Sequence, residues 1–179
     1  MGICLNQRDF VRDNLLSNNQ GTRMLELGNQ VLNPKFAVIA DRELGITLPR
    51  TMGTDRYDQI PLAIGKDYYT NLGYTHTSFD LNGADGAIAV DLSKRYNTYD
   101  DKFDIVTDHG TVEHVRGVEA QYEVFKNIFF WMSIGGVAGH CVPMKNQEHR
   151  TIINKDWPPH GHFGYSSDFW NNLIDSCGY

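Results

Sequence analysis

Apolar and polar positions alternate along this chain in two rhythms, one helical and one extended. Near the start, Phe10, Val11, Leu15 and Leu16 recur close to helical spacing, and Asn6 is placed to cap a helix running to about Ser17. The polar run Asn18-Asn19-Gln20-Gly21 ends it. Residues 22–27 read as a short strand stopped by Gly28. From Asn29 to about Pro61 the pattern is weak and is broken by Pro34, Pro49, Gly53 and Pro61. A helix follows over about 62–72, with Gly73 as its C-cap. Residues 75–81, 87–92 and 103–107 read as the second, third and fourth strands. The strongest helix covers about 118–132. Gly135-Gly136 then leads into a fifth strand over 137–142, closed by Pro143, and a segment rich in His and Pro follows. Ser166 or Ser167 caps a last helix to about Ser176.

Helices and strands mostly alternate, and several strands are continuous apolar runs. That pattern predicts an α/β fold, a three-layer Rossmann-like sheet that is mostly parallel and covered on both faces. With no repeat, low-complexity tract or linker, residues 1–179 read as one domain, and about 29–61 read as an insert or lid.

Composition narrows the function classes. The chain has 179 residues, 41% of them hydrophobic, enough for a real core. A net charge of -6 disfavours nucleic-acid backbone binding, which needs clustered Lys and Arg. Cys4, Cys141 and Cys177 are widely spaced, with no paired-cysteine motif, so neither a disulfide framework nor a zinc ribbon is indicated. A reducing, cytoplasmic setting fits. The first residues are too polar for a signal peptide, and no apolar run approaches a membrane span.

In a wound sheet, ligands sit beyond the carboxyl ends of the strands. There this chain carries Glu26 and Gly28, then Asp80, then Asp91, then Asp108-His109. An acidic rim accepts hydrogen bonds from ribose hydroxyls, an exocyclic amine and an ammonium group, and repels phosphate. It suits a nucleoside with a cationic amino-acid tail.

Leu25-Glu26-Leu27-Gly28 resembles the first motif of class I S-adenosylmethionine-dependent methyltransferases. Residues 103–108, running into Glu113-His114-Val115, resemble the fourth-strand motif of the small-molecule branch that includes the quinone O-methyltransferases. Gly135-Gly136 and the late Tyr165-Ser166-Ser167-Asp168-Phe169-Trp170 are similar to further segments of that branch. The resemblance implies S-adenosylmethionine as cofactor. It implies Glu26 and Gly28 at the methionine end, Asp80 at the ribose hydroxyls, Asp91 with the backbone near Leu92 at the adenine, and Asp108 and His109 facing the methionine part or the acceptor, with Asn29 and Leu81 also among the cofactor contacts. His109 and His114 are the general-base candidates, since imidazole titrates near neutrality. His160 and His162 are candidate contacts to a small-molecule acceptor.

The sequence departs from the family in three ways. Gly28 is followed by Asn29, Gln30 and Val31 where further glycines are usual. The acidic Asp80 lies far downstream. Gly110 stands where the quinone enzymes carry a metal-binding Glu, so no metal is assigned. The sheet is expected to lack its last two strands, as in a C-terminally truncated chain, and to leave the fifth strand as an edge that favours pairing with another copy.

Plainer readings compete. Asp80 could simply form a turn before Asn82-Gly83, Asp91 could cap the Ser93-Lys94 turn, and Glu113 could favour the start of the next helix. Rival functions are a non-catalytic module on the same fold, a metal hydrolase built on His140, Cys141, His149, His160 and His162, and a nicotinamide oxidoreductase. The last would need G-x-G-x-x-G after the first strand.

Overall fold

A computed structural model describes residues 2–52, 60–144 and 161–177, the side chain of Cys177 excepted. Its centre is a five-stranded sheet of β1 (Arg23–Leu27), β4 (Thr75–Asp80), β5 (Ile88–Ala89), β6 (Phe103–Asp108) and β7 (Met132–His140). The order is β5-β4-β1-β6-β7, and all four pairings are parallel. Two short strands, β2 (Thr51–Met52) and β3 (Pro61–Leu62), pair antiparallel outside it. The helices are α1 (Leu5–Val11), α2 (Pro34–Leu44), α3 (Gly65–Asn71), α4 (Val118–Trp131) and α5 (Ser167–Cys177). This is the expected α/β, Rossmann-like arrangement.

The pleat of β1 divides the core. Met24 joins Ile3, Leu32, Phe36, Tyr68 and Tyr69 on the side of α1, α2 and α3. Leu25 and Leu27 join Phe79, Val106, Phe125, Ile128 and Trp131 on the side of α4. The chain therefore covers one face after β1 and the other after β6. These two strands are neighbours, so the winding reverses between them.

Local chemistry accounts for several boundaries that differ from the sequence reading. Residues 29–61 do not form only an insert or lid, because α2 lies within them and is part of the covering layer. Asn33 caps it by accepting the Lys35 N–H at 3.0 Å, Pro34 opens it, and Gly45 closes it in the left-handed region at φ 67°. Phe36, Ala37 and Ala40 put one face of α2 into the core. The first helix starts at Leu5, not after Asn6, because Ile3 is pinned by backbone bonds with Val31 and Asn33. It runs on as a wider π turn over Arg12–Leu16. α3 starts at Gly65, because Pro61–Leu62 is taken by β3 and Ile64 bridges to Val31. The third strand shrinks to two residues.

Gly135-Gly136 sits inside β7, not ahead of it. Phe103 faces Met132 while Ile105 faces Val137, so the strand bulges there, with Gly135 at φ 79°. Ser166 rather than Ser167 supplies the hydroxyl at the start of α5, accepting the Phe169 N–H at 3.2 Å.

Candidate functional site

The reversal between β1 and β6 brings two loops together above the sheet. After β1, Gly28 turns at φ 77° and donates its N–H to the Phe79 carbonyl at 2.7 Å. After β6, Thr111 donates its hydroxyl to the Leu27 carbonyl at 2.8 Å and accepts from Gln30 Nε2 at 3.3 Å. A side chain at Gly28 would run into that hydroxyl, so the turn needs glycine twice over.

Asp80 stands at the end of β4 beside this turn. Its Oδ2 accepts the Asn29 N–H at 2.9 Å, and its Oδ1 accepts the Asn82 N–H at 3.0 Å. Asn29 Nδ2 also reaches Asp85 Oδ2 at 3.0 Å. The carboxylate is half-buried and each oxygen has acceptor capacity left. Leu81 follows it, 75% exposed.

The acidic rim does not converge as a single cluster. Glu26 lies below it, fully buried on the face of α3. In register across the sheet, Ser78, Glu26, Thr107 and Gly139 form one row. Glu26 Oε2 accepts the Gln30 N–H at 3.2 Å and stands 3.8 Å from His76 Nε2. Burial pushes its pKa up to about 8. His76 is stacked on Tyr69 at 5.7 Å, and burial lowers it to about 4. Glu26 Oε1, Tyr69 Oη, Ser78 Oγ and both His76 nitrogens are buried without a hydrogen-bond partner among the described residues. Asp91 turns to its own loop instead, accepting from Ser93 Oγ at 2.6 Å and pairing with Lys94 at 2.8 Å. Those bonds hold its carboxyl below the usual range. Leu92 is a core residue with Val90.

The other candidates gather after β6. Asp108 is fully buried. Its Oδ1 accepts the Thr111 N–H at 3.0 Å, and its Oδ2 lies 3.0 Å from His140 Nδ1. His109 is 2% exposed, and burial lowers its pKa to about 4. His114 is exposed, 3.7 Å from Glu113, and is also lowered by partial burial. The Glu113 carboxyl is raised to about 7 by burial and by Asp108. The Glu113 carbonyl accepts the His162 N–H at 2.7 Å, which brings exposed His162 beside His114. His149 and His160 lie outside the described residues.

Two participants escaped the sequence reading, and a third was read in another role. Thr111 fills the space over Gly28 and His76 faces Glu26, while His140, read only as part of a histidine cluster, pairs with Asp108. The strand register that aligns Met24 with His76 and Asp108 with His140 is what reveals the last two.

Among the described residues, no group of three or more His, Cys, Asp and Glu is placed to hold a metal ion. No described helix is long and apolar enough to cross a membrane. No family model matches the sequence, and no curated protein matches it significantly.

Proposed function

We propose that the chain is a methyltransferase domain that binds S-adenosylmethionine over the β1–β6 reversal and passes its methyl group to a small-molecule O or N acceptor. The observation that carries this reading is the pairing of the Gly28 turn with Asp80. A glycine turn after the first strand and a carboxylate ending its neighbour are what a doubly wound sheet offers a nucleoside. Asp80, with acceptor capacity to spare, fits two ribose hydroxyls.

The surroundings favour a cationic nucleoside over a dinucleotide. α2 starts at Pro34, six positions after Gly28, and the intervening chain is occupied by bridges of Val31 and Leu32 to Ile64 and Ile3. A pyrophosphate would find no helix N-terminus at the turn. Asp80 and Asp85, both bonded to Asn29, would repel it.

When bound, S-adenosylmethionine supplies a methyl group already activated on a sulfonium. The protein's part is then mainly alignment. Asp80 would hold the ribose and the Gly28-Asn29 turn would line the tail, while buried Glu26 holds the Gln30 end of that loop. His114, exposed and held neutral near pH 7, is the residue suited to take a proton from the acceptor. His109 is enclosed and serves at most as a neutral wall. A reducing, cytoplasmic setting, in keeping with free Cys4 and Cys141, is part of the same proposal.

Titration calorimetry tests the proposal. S-adenosylmethionine and S-adenosylhomocysteine are expected to bind, NAD to give no heat, and Asp80→Ala to weaken both nucleosides at least about tenfold. No heat and no thermal shift with either nucleoside would end it. A non-catalytic binding module is the second reading, favoured by Thr111 occupying the space over Gly28. Binding without transfer to any acceptor in a broad panel of alcohols, phenols and amines would select it.

A further inference from the structure

A concavity lies along the edge strand β7, beside α4 and α5. It is a groove of about 870 Å³, walled by Phe129 and Phe130 of α4, Val137 of β7, and Trp170, Leu173 and Ile174 of α5. Gly28, Asn29, Asp80 and Asp91 do not line it. Its size is that of a site for a small organic molecule. The walls are mostly hydrocarbon and aromatic, Asp101 and Ser133 being the other lining residues with polar side chains, so a polar atom facing into it acts as a selector.

His140, the last residue of β7, also lines this groove. Its Nδ1 lies 3.0 Å from Oδ2 of Asp108, a side chain with no solvent exposure. The other oxygen of Asp108 is taken by the Thr111 N–H, so the carboxylate cannot swing away. A carboxylate only accepts, so in the neutral ring the single proton resides on Nδ1, and Nε2 then carries the lone pair. The ring is stacked on Trp170 with centroids 4.9 Å apart and planes 30° apart, and Phe125 packs on it at 5.6 Å. The imidazole side chain is 11% exposed. The ring edge that carries Nε2, turned away from Asp108, is thus held in a mostly apolar, aromatic setting.

We propose that this groove binds a flat aromatic molecule bearing a hydroxyl, whose O–H donates to Nε2 of His140. Trp170 and Phe130 supply edges and faces for the ring, and His140 distinguishes a hydroxyl from an ether. Asp108 is the positioning residue that sets the tautomer. This site does not depend on nucleoside binding at Gly28 and Asp80, so either can fail while the other stands.

The test compares 2-naphthol with 2-methoxynaphthalene, which has the same rings but no donor. Titration calorimetry should show 2-naphthol binding about tenfold more tightly. His140→Phe should erase that preference while both probes still bind. Ile174→Arg, at a half-exposed position on α5, should weaken both at least about tenfold. If His140→Phe does not fold, the native protein with ¹⁵N-labelled histidine decides the point. The Nε2 resonance of His140 must then move with 2-naphthol and stay with the ether. No binding of 2-naphthol, a preference that survives His140→Phe, an Nε2 signal indifferent to 2-naphthol, or affinity unchanged by Ile174→Arg would each overturn the proposal.

Discussion

Under the carboxyl ends of the strands, burial drives neighbouring side chains to neutrality from opposite directions. Glu26 is raised to about 8, above its ordinary 4.5, so it folds as the acid. Stability from that group is complete below about pH 4.5 and is lost as pH rises towards 8. His76 and His109 are lowered from 6.5 to about 4, so they fold as neutral rings. Their contribution is complete above about pH 6.5 and is lost as pH falls through 4. Urea unfolding from pH 4 to 9 should therefore give a maximum in between. Glu26→Gln should flatten the alkaline limb by an amount on the order of a few kcal/mol. His76→Phe keeps the stack on Tyr69 and removes two unpartnered nitrogens. It should leave neutral stability unchanged or raised by about 1 kcal/mol, and should soften the acid limb. Sequence alone located Glu26 and Asp80 at strand ends, because a carboxylate interrupting an apolar run is visible as a pattern. It did not show that one is sealed beneath the rim and the other lies on it, since that depends on which face each strand position takes.

At the scale of elements, α4 was easy to find and α2 was not. In α4 the buried set Gln121, Val124, Phe125, Asn127, Ile128 and Trp131 repeats at three and four, and the signal lasts 14 residues. In α2 the apolar face is Phe36, Ala37 and Ala40, two of them small, and prolines on either side look like loop punctuation. Its real signals are the ends. Asn33→Ala should cost about 1 kcal/mol in thermal unfolding by removing the cap. Gly45→Ala meets nothing within 4 Å, so its cost, again about 1 kcal/mol, should come from the left-handed backbone alone. Gly45→Asn should recover part of it, because asparagine tolerates that region. The bulge in β7 was hidden for a related reason. Two adjacent glycines mark a break, and only pairing with β6 shows that the break lies within a strand.

For the molecule as a whole, the alternation of helices and strands sufficed to predict a parallel sheet, and the order follows from which connections cover which face. What fastens the amino ends of its central strands was not visible. Arg23 opens β1 and meets Asp104 of β6 through its side chain and its N–H, while Ser133 of β7 donates to the same carboxylate at 2.8 Å. These bonds hold the Asp104 carboxyl well below the usual range. Asp104→Ala should cost about 1 kcal/mol at pH 7, since Arg23 is half-exposed and water screens the pair, and the loss should shrink as pH falls below the ordinary carboxylate value.

The central position of β1 also governs how the chain can assemble. Its partners come late: the Thr107 hydroxyl that caps the Leu25 carbonyl is 82 positions away. A ribosome must therefore deliver about 80 further residues after β1 before the middle of the sheet can close. Refolding from denaturant should consequently take milliseconds to seconds. During that delay the apolar strand Arg23–Leu27 waits with both edges bare, so yield on refolding should drop as protein concentration rises.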